Sequence, residues 1–188
     1  DPERATGLVM FGGEGASVMQ DIVERLDASS LDVQLILICG RNQGLAARLR
    51  ARRGRITTFV EGFTTEVPYY MRLADFFIGK PGPGSISEAL AMGLPVIVQS
   101  NAWTLPQERY NTAWVRETET GLVVHSFREI AQAVGQLIEP AAMARFRANA
   151  AGLRNRAVFE IPEILEQIVA RPAASAAPSE KRVTKARR

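Results

Sequence analysis

Short apolar runs alternate with amphipathic segments along most of the chain. The runs that predict buried strands are residues 7–11, 33–39, 56–60, 75–79, 95–99 and 122–124. The segments between them repeat apolar residues at helical spacing, as Ile22, Val23 and Leu26 do after the first run. Apolar strands separated by helices are typical of a parallel sheet that is covered on both faces. The pattern predicts an α/β fold, with a Rossmann-like doubly wound parallel sheet of about six strands.

The helices and turns between these strands predict where such a sheet holds a ligand. Further helices are predicted at 45–53, 67–73, 85–92, 127–138, 141–156 and 162–170, with Gly93 at the position just after a helix end that favours glycine. Ligands of open parallel sheets bind beyond the carboxyl ends of the strands. The loops at that edge are residues 12–17, 61–66, 79–85 and 99–111.

The first of these loops, residues 12–17, reads Gly-Gly-Glu-Gly-Ala-Ser. Glycines let the backbone approach a phosphate, and the helix that follows offers free N–H groups. The alternative is a tight strand-to-helix turn with no ligand. The loop lacks both the Gly-x-Gly-x-x-Gly order of dinucleotide-binding proteins and the Lys-Ser/Thr pair of P-loops, which argues against NAD binding and ATP hydrolysis.

The most informative stretch is residues 79–90, where three glycines and two prolines precede a predicted helix. In one interpretation Ser85 caps that helix and Glu88 completes a capping box. In the other, Glu88 accepts hydrogen bonds from both hydroxyls of a ribose while backbone N–H groups hold phosphates. Gln107 and Glu108 follow the fifth strand, where an amide beside a carboxylate suits a sugar, although an ordinary polar helix start has the same composition.

In their order along the chain, these motifs resemble the C-terminal domain of glycosyltransferase family 28. They are Gly-Gly-Glu-Gly at 12–15, Gly-Phe-Thr at 62–64, the segment 80–98 and Gln-Glu-x-x-Asn at 107–111. The resemblance spans about residues 7–168 and is greatest to the galactolipid synthase branch. It implies the C-terminal half of a GT-B enzyme, with a UDP-sugar-binding domain at 1–170 and an acceptor domain outside this chain.

The resemblance also implies a role for each matching residue. Gly13, Glu14 and Gly15 would face the diphosphate of the UDP-sugar, as would Gly84 and Ser85.

The remaining matches concern the nucleoside and the sugar. Phe63, Thr64 and Val67 would lie against the uracil ring, and Glu88 would bind the ribose. The Gln107-Glu108 pair would contact the donor sugar. The peptidoglycan enzymes usually have a second glutamine at the position of Glu108, so this chain departs from their pattern there.

The function implied is transfer of a hexosyl group, from UDP-galactose, UDP-glucose or UDP-GlcNAc, to a lipid acceptor such as diacylglycerol. The family's proposed base lies in the acceptor domain, so no catalytic residue is assigned in this chain. Neither a metal nor a cofactor is expected. Two alternatives remain open: a non-catalytic nucleotide-binding or regulatory module of the same fold, and a protein resembling UDP-GlcNAc epimerases.

Composition and charge add an expectation about location. Cys39 is the only cysteine and is expected in the core, and a reducing cytoplasmic setting fits its isolation. The net charge of +3 depends on residues 171–188, which hold six basic residues and one acidic residue and are predicted to be a disordered tail. Because the rest of the chain is net acidic, nucleic-acid binding is not predicted.

A run of arginines between residues 41 and 55 has two interpretations. It is either a solvated helix face or a contact with an anionic membrane, which would place the protein peripherally on the inner face. Two other side chains are singled out. Trp103, in the 99–111 loop, is expected either to line a cleft or stack on a sugar, or to anchor the loop. His125, at the end of the sixth predicted strand, is expected to be structural.

Overall fold

The computed structural model describes residues 1–170. All six strands are present: β1 (Ala5–Met10), β2 (Val33–Ile38), β3 (Thr57–Glu61), β4 (Phe76–Gly79), β5 (Val96–Gln99) and β6 (Gly121–Val124). Every neighbouring pair runs parallel, in the order β3-β2-β1-β4-β5-β6. This is the doubly wound order, so the predicted fold class is confirmed.

The helices follow the strands in alternation. They are α1 (Val18–Asp27), α2 (Gln43–Ala51), α3 (Val67–Arg72), α4 (Pro83–Ala91), α5 (Pro106–Glu117), α6 (Ile130–Ile138), α7 (Pro140–Gly152) and α8 (Ala157–Ala170), with a 3-10 turn at Phe127–Glu129. Four helices carry a proline in the first turn, where its missing N–H costs nothing and its fixed φ suits the helix. Gly93 follows α4 with a φ of 73°, as predicted.

The core has one layer on each face of the sheet, as the apolar strands predict. Helices α1, α2 and α6 pack on one face, and α3, α4 and α5 pack on the other. Successive strand residues alternate between the layers: Phe76 is buried in the first, and Phe77 in the second. Cys39 is fully buried in the first layer, in agreement with its predicted place in the core.

Two helix boundaries differ from the predictions in ways that affect the ligand edge. Helix α4 begins at Pro83, not at residue 85, and its N-terminal cap position is Gly82. Residues 106–111, predicted as part of a loop, form the first half of α5. The apolar signal of α5 is weak because only Thr112 and Val115 are buried along its length.

The chain divides into two compact units, of which the first is Asp1–Leu153 and holds the whole sheet. The second begins at Arg154 and contains α8, which starts at Ala157, five residues before the predicted position, and carries Pro162 inside the helix. Within residues 1–170, no helix combines the length and the apolarity that a membrane crossing requires. The predicted basic tail, 171–188, lies outside the described residues.

A carboxylate joins the end of α1 to the segment that enters β3. Asp27 accepts a 2.9 Å hydrogen bond from the backbone N–H of Ile56, and it forms a 2.7 Å ion pair with Arg52. Both side chains of the pair are about four-fifths buried. The Ile56 N–H and the Arg52 guanidinium lower the pKa of Asp27, since both interact best with the ionised form.

We expect Asp27→Asn to destabilise the chain most at neutral pH. A carboxylate whose pKa is lowered by folding contributes stability above its unfolded pKa of about 4, and that contribution is lost as the pH falls through the folded value. Urea unfolding at about pH 7 and about pH 3 measures this. The gap between the wild type and the variant should be largest at neutral pH and shrink in acid; a gap that grows in acid would contradict the assignment.

Candidate functional site

The loops that follow β1 and β4 meet at the centre of the sheet. These two strands are neighbours, but the chain leaves β1 toward β2 on one side and leaves β4 toward β5 on the other. The two loops diverge at this switch point and leave a crevice at the carboxyl edge, which is where open α/β sheets bind ligands. Both glycine-rich segments predicted from the sequence lie there.

The loop after β1 is held in a fixed shape by its glycines. Gly12 and Gly15 have left-handed φ values of 79° and 60°, and the Gly15 N–H donates to the Gly12 carbonyl at 3.2 Å. The Gly13 carbonyl accepts a 2.7 Å hydrogen bond from the Arg41 N–H. A Cβ on Gly15 would strike the carbonyl oxygen of Cys39, so this loop packs directly against the end of β2.

The loop after β4 leads into α4 with open space at the helix N-terminus. Gly84 and Ser85 lie in the first turn, and, apart from the adjacent residues and the backbone of the helix itself, no described atom lies within 4 Å of the position that a Cβ on Gly84 would occupy. The Asn111 side-chain amide donates to the Pro81 carbonyl at 2.8 Å and thereby fixes this loop to α5. Open space therefore lies beside Gly84 in the first turn of α4.

Glu88 lies on α4, one turn further along than the sequence indicates. The capping-box interpretation is wrong because the helix begins at Pro83 and no side chain caps it. Within the described residues, the Glu88 carboxylate is exposed and makes no hydrogen bond or ion pair. Its carboxylate is therefore free to accept hydrogen bonds from a ligand.

The loop between β3 and α3 carries residues that are expected to contact the uracil ring. Glu61 fixes this loop, because it accepts from the Gly62 N–H at 2.8 Å and from the Tyr70 hydroxyl at 3.0 Å. These two donors lower the pKa of Glu61, and the carboxylate in turn raises the pKa of Tyr70. Phe63 is half exposed on this fixed loop, with Thr64 beside it.

The Thr64 hydroxyl has a structural role. It accepts a hydrogen bond from the Glu66 N–H at 2.9 Å, directly before α3 begins at Val67.

Arg41 connects two of the predicted parts of the site. Its guanidinium pairs with Glu14 at 3.1 Å and lies 4.7 Å from the ring centre of Phe63. The sequence placed Arg41 with the arginine run, whereas the structure places it at the carboxyl edge. The Glu14 side chain is thus directed toward Arg41 and the β3 loop, and both side chains of the ion pair are exposed.

A cleft of about 330 Å³ opens beside the crevice, between the loops after β4 and β5. Its lining combines polar and aromatic side chains: Phe11, Lys80, Pro81, Gln99, Asn101, Trp103, Thr104, Glu108 and Phe127. The two residues of the predicted Gln107-Glu108 pair differ in position, because Glu108 lines the cleft and Gln107 does not. Trp103 is 92% exposed at the rim, which excludes the loop-anchor interpretation.

Lys80 has no role in the site predicted from the sequence, yet its side chain lies where the two glycine-rich loops meet. Its Cε lies 3.8 Å from the position of a Cβ on Gly12 and 3.5 Å from that of a Cβ on Gly82. Its position directly after β4 is the sequence signal that marks it. His125 is exposed, and its carbonyl accepts a 3.4 Å hydrogen bond from Asn101.

The family model of the glycosyltransferase family 28 C-terminal domain matches residues 8–126. The chain belongs to this family. It is 37% identical over 147 residues to a probable monogalactosyldiacylglycerol synthase 3 of rice (Oryza sativa subsp. japonica), an alignment that covers 74% of this chain. The chain spans 28% of the length of that relative.

Solved glycosyltransferases share the fold of this family 28 domain. MurG of Acinetobacter baumannii superposes with a TM-score of 0.72 and 13% identity, over 88% of this chain and 50% of that one. SsfS6 of Streptomyces sp. SF2575, solved with thymidine diphosphate, gives a TM-score of 0.60 and 15% identity over 88% of this chain and 42% of its own. The predicted resemblance is confirmed, and the fold is that of the C-terminal half of a GT-B glycosyltransferase.

The two glycines that flank Glu14 test the shape of the first loop. We expect Gly15→Ala to destabilise the domain by about 1–3 kcal/mol, because the new Cβ meets the Cys39 carbonyl at a left-handed φ. Gly13→Ala is the matched control, since its Cβ would come no closer than 3.9 Å to another group. Its effect in urea unfolding should stay within about 0.5 kcal/mol. Equal losses in the two variants would contradict this account.

Proposed function

We propose that this chain is the UDP-sugar-binding domain of a glycosyltransferase that moves a hexosyl group to a lipid acceptor such as diacylglycerol. Galactose is the sugar that we favour. One observation carries the proposal. Two glycine-rich loops meet at the switch point of the sheet, with the exposed carboxylate of Glu88 on the helix that follows and a polar cleft beside them. Such an arrangement has separate places for a diphosphate, a ribose and a sugar.

In this proposal each part of the donor contacts a different element. The diphosphate lies between Gly13–Gly15 and the first turn of α4, where Gly84 and Ser85 offer backbone N–H groups. Glu88 accepts hydrogen bonds from the ribose hydroxyls. The uracil lies against the β3 loop, with Phe63, Thr64 and Val67 as its expected contacts. The hexose occupies the cleft that Glu108 lines.

The chemistry follows from how the leaving group is held. The hydroxyl oxygen of the acceptor attacks the anomeric carbon of the sugar, and the bond from that carbon to the β-phosphate oxygen breaks. The electron pair and the negative charge leave with UDP, and the acceptor proton passes to a base outside this chain. Backbone N–H groups and the positive end of the α4 dipole stabilise the charge that develops on the diphosphate, so no cofactor is required in this proposal.

The comparisons support the choice of donor and acceptor. The rice relative is named as a monogalactosyldiacylglycerol synthase, which favours galactose and diacylglycerol. The Streptomyces neighbour was solved with a nucleoside diphosphate, which favours the same class of ligand for the crevice. The acceptor domain and the base then belong to the part of the relatives that this chain does not cover.

A lipid acceptor makes peripheral membrane contact part of the proposal. In the arginine run, Arg52 pairs with Asp27, and Arg55 donates to the carbonyls of Ser29 and Leu31, so both have structural roles. Arg48 and Arg53 are exposed beside them. These two are the arginines that we propose contact anionic headgroups, on the inner face of a membrane, each contributing about 1 kcal/mol.

Glu88→Ala is the direct test of the donor site. We expect calorimetric titration with UDP-galactose to show a loss of about 1.5 kcal/mol or more in binding free energy, because the ribose loses its charged acceptor. Glu117→Ala removes another exposed carboxylate, at the far end of α5, and should leave binding unchanged. Wild-type affinity in the Glu88 variant, or no binding of any uridine nucleotide by the wild type, would overturn the proposal.

Gly84→Ala separates ligand binding from folding. The added methyl group meets open space in the free domain, and alanine is the better helix former, so stability should be unchanged or rise by up to about 1 kcal/mol. The same methyl group occupies the space through which a phosphate approaches the α4 backbone. UDP affinity should therefore fall about tenfold or more, the scale of one lost charge-assisted bond. Thermal unfolding and titration of the same sample measure the two effects, and unaltered UDP affinity would exclude this route to the backbone.

A further inference from the structure

The Lys80 side chain lies beside a glycine of each glycine-rich loop. It leaves the sheet at the end of β4, and its methylene groups run past Gly12 on one side and Gly82 on the other. The ammonium group continues into the cleft, where it lies 3.8 Å from a carboxylate oxygen of Glu108. Lys80 thus lies at the junction of the crevice that would hold a diphosphate and the cleft that would hold a sugar.

Arg41, another cation at this edge, is already engaged. Its guanidinium makes a 3.1 Å contact with Glu14 and stacks over Phe63, on the side of the crevice that faces β3. The side chain of Lys80 lies toward β5 instead, beside residues of the loop that follows β5. The two positive charges are therefore placed at opposite ends of the crevice.

The ion pair of Lys80 is weak and easily broken. Its 3.8 Å separation exceeds the 2.7–2.9 Å or so of a charge-assisted hydrogen bond. The Lys80 side chain is 52% exposed, so solvent screens the attraction, whereas Glu108 is only 13% exposed. A more highly charged anion with several oxygens would compete successfully for the ammonium group.

We propose that Lys80 binds the β-phosphate of the donor, and that Glu108 is released from Lys80 to accept a hydrogen bond from the sugar when it does. The inference rests on the proposed function, since it assumes a nucleoside diphosphate sugar in the crevice. It assigns Lys80 a binding role. In the transfer reaction the same ammonium group neutralises the charge that collects on the β-phosphate oxygen as the bond to the sugar breaks.

The test compares ligands that differ by one group. UMP, UDP and UDP-galactose are titrated into the wild-type chain, Lys80→Met, Lys80→Arg and Glu108→Gln, at one ionic strength. Lys80→Met should weaken UDP binding about tenfold to a hundredfold, the loss expected for one charge-assisted bond, and weaken UMP binding less than about threefold. Lys80→Arg should restore most of the UDP affinity, because the charge is retained.

Glu108→Gln should change affinity in the opposite direction for UDP. Removing the competing carboxylate frees Lys80, so UDP should bind a few-fold more tightly, while the advantage of UDP-galactose over UDP should shrink. Arg116→Met, an exposed arginine at the other end of α5, controls for the loss of one positive charge and should leave all three affinities unchanged. Circular dichroism of each variant confirms that the fold is retained.

Three results would overturn the inference. If Lys80→Met weakens the binding of UMP and of UDP equally, the lysine acts on the loop and not on the β-phosphate. Lys80→Met with unaltered UDP affinity would remove the lysine from the site. Glu108→Gln that weakens UDP would show that the ion pair organises the site and is not broken on binding.

The same titrations distinguish this inference from the proposed function. If the wild-type chain binds UDP and Glu88→Ala weakens it, but the ratio of UMP to UDP affinity is the same in Lys80→Met, only the role of Lys80 is wrong. If the wild-type chain binds no uridine nucleotide at millimolar concentration, both the donor site and the role of Lys80 are wrong.

Discussion

The divergence of the connections from β1 and β4 is the constraint on which the site depends. Parallel neighbours need right-handed crossovers, so helices cover the two faces and the loops after these central strands part in opposite directions. Buried residues such as Leu8 and Phe77 hold the two strands side by side. The crevice therefore exists because of the sheet topology, and the glycines only adapt its walls to close approach by an anion.

Much of this architecture follows from the sequence because its signals are local. Most of the strands are short apolar runs bounded by glycine or polar residues, and β3, with two threonines and a glutamate, is the exception. The loops at residues 12–17 and 79–85 contain glycines directly after apolar runs, and the structure places both at the carboxyl edge. At two of these positions glycine is favoured by the backbone conformation, since Gly12 and Gly15 adopt left-handed φ values.

The parts that the sequence did not reveal depend on tertiary contacts or on weak periodicity. Helix α5 buries only Thr112 and Val115, so its apolar pattern is faint, and Pro106 was the stronger signal of its start. Ser85 and Glu88 have the spacing of a capping box, but the helix begins at Pro83, which has a fixed φ suited to the first position. Lys80 and Glu108 are 28 positions apart, and only folding shows that their side chains meet.

The carboxylates around this site need an explanation, because the site is proposed to bind an anion. Three carboxylates, those of Glu14, Glu88 and Glu108, border a crevice proposed to hold a diphosphate, and each would repel it. Two of them are partly neutralised, Glu14 by Arg41 and Glu108 by Lys80. At neutral pH, carboxylates are the strongest side-chain acceptors of hydrogen bonds from hydroxyl groups, so they suit the ribose and the sugar on the two sides of the diphosphate. A site that binds an anion between two polyols needs this alternation, with carboxylate acceptors beside the polyols and N–H donors and a cation beside the diphosphate.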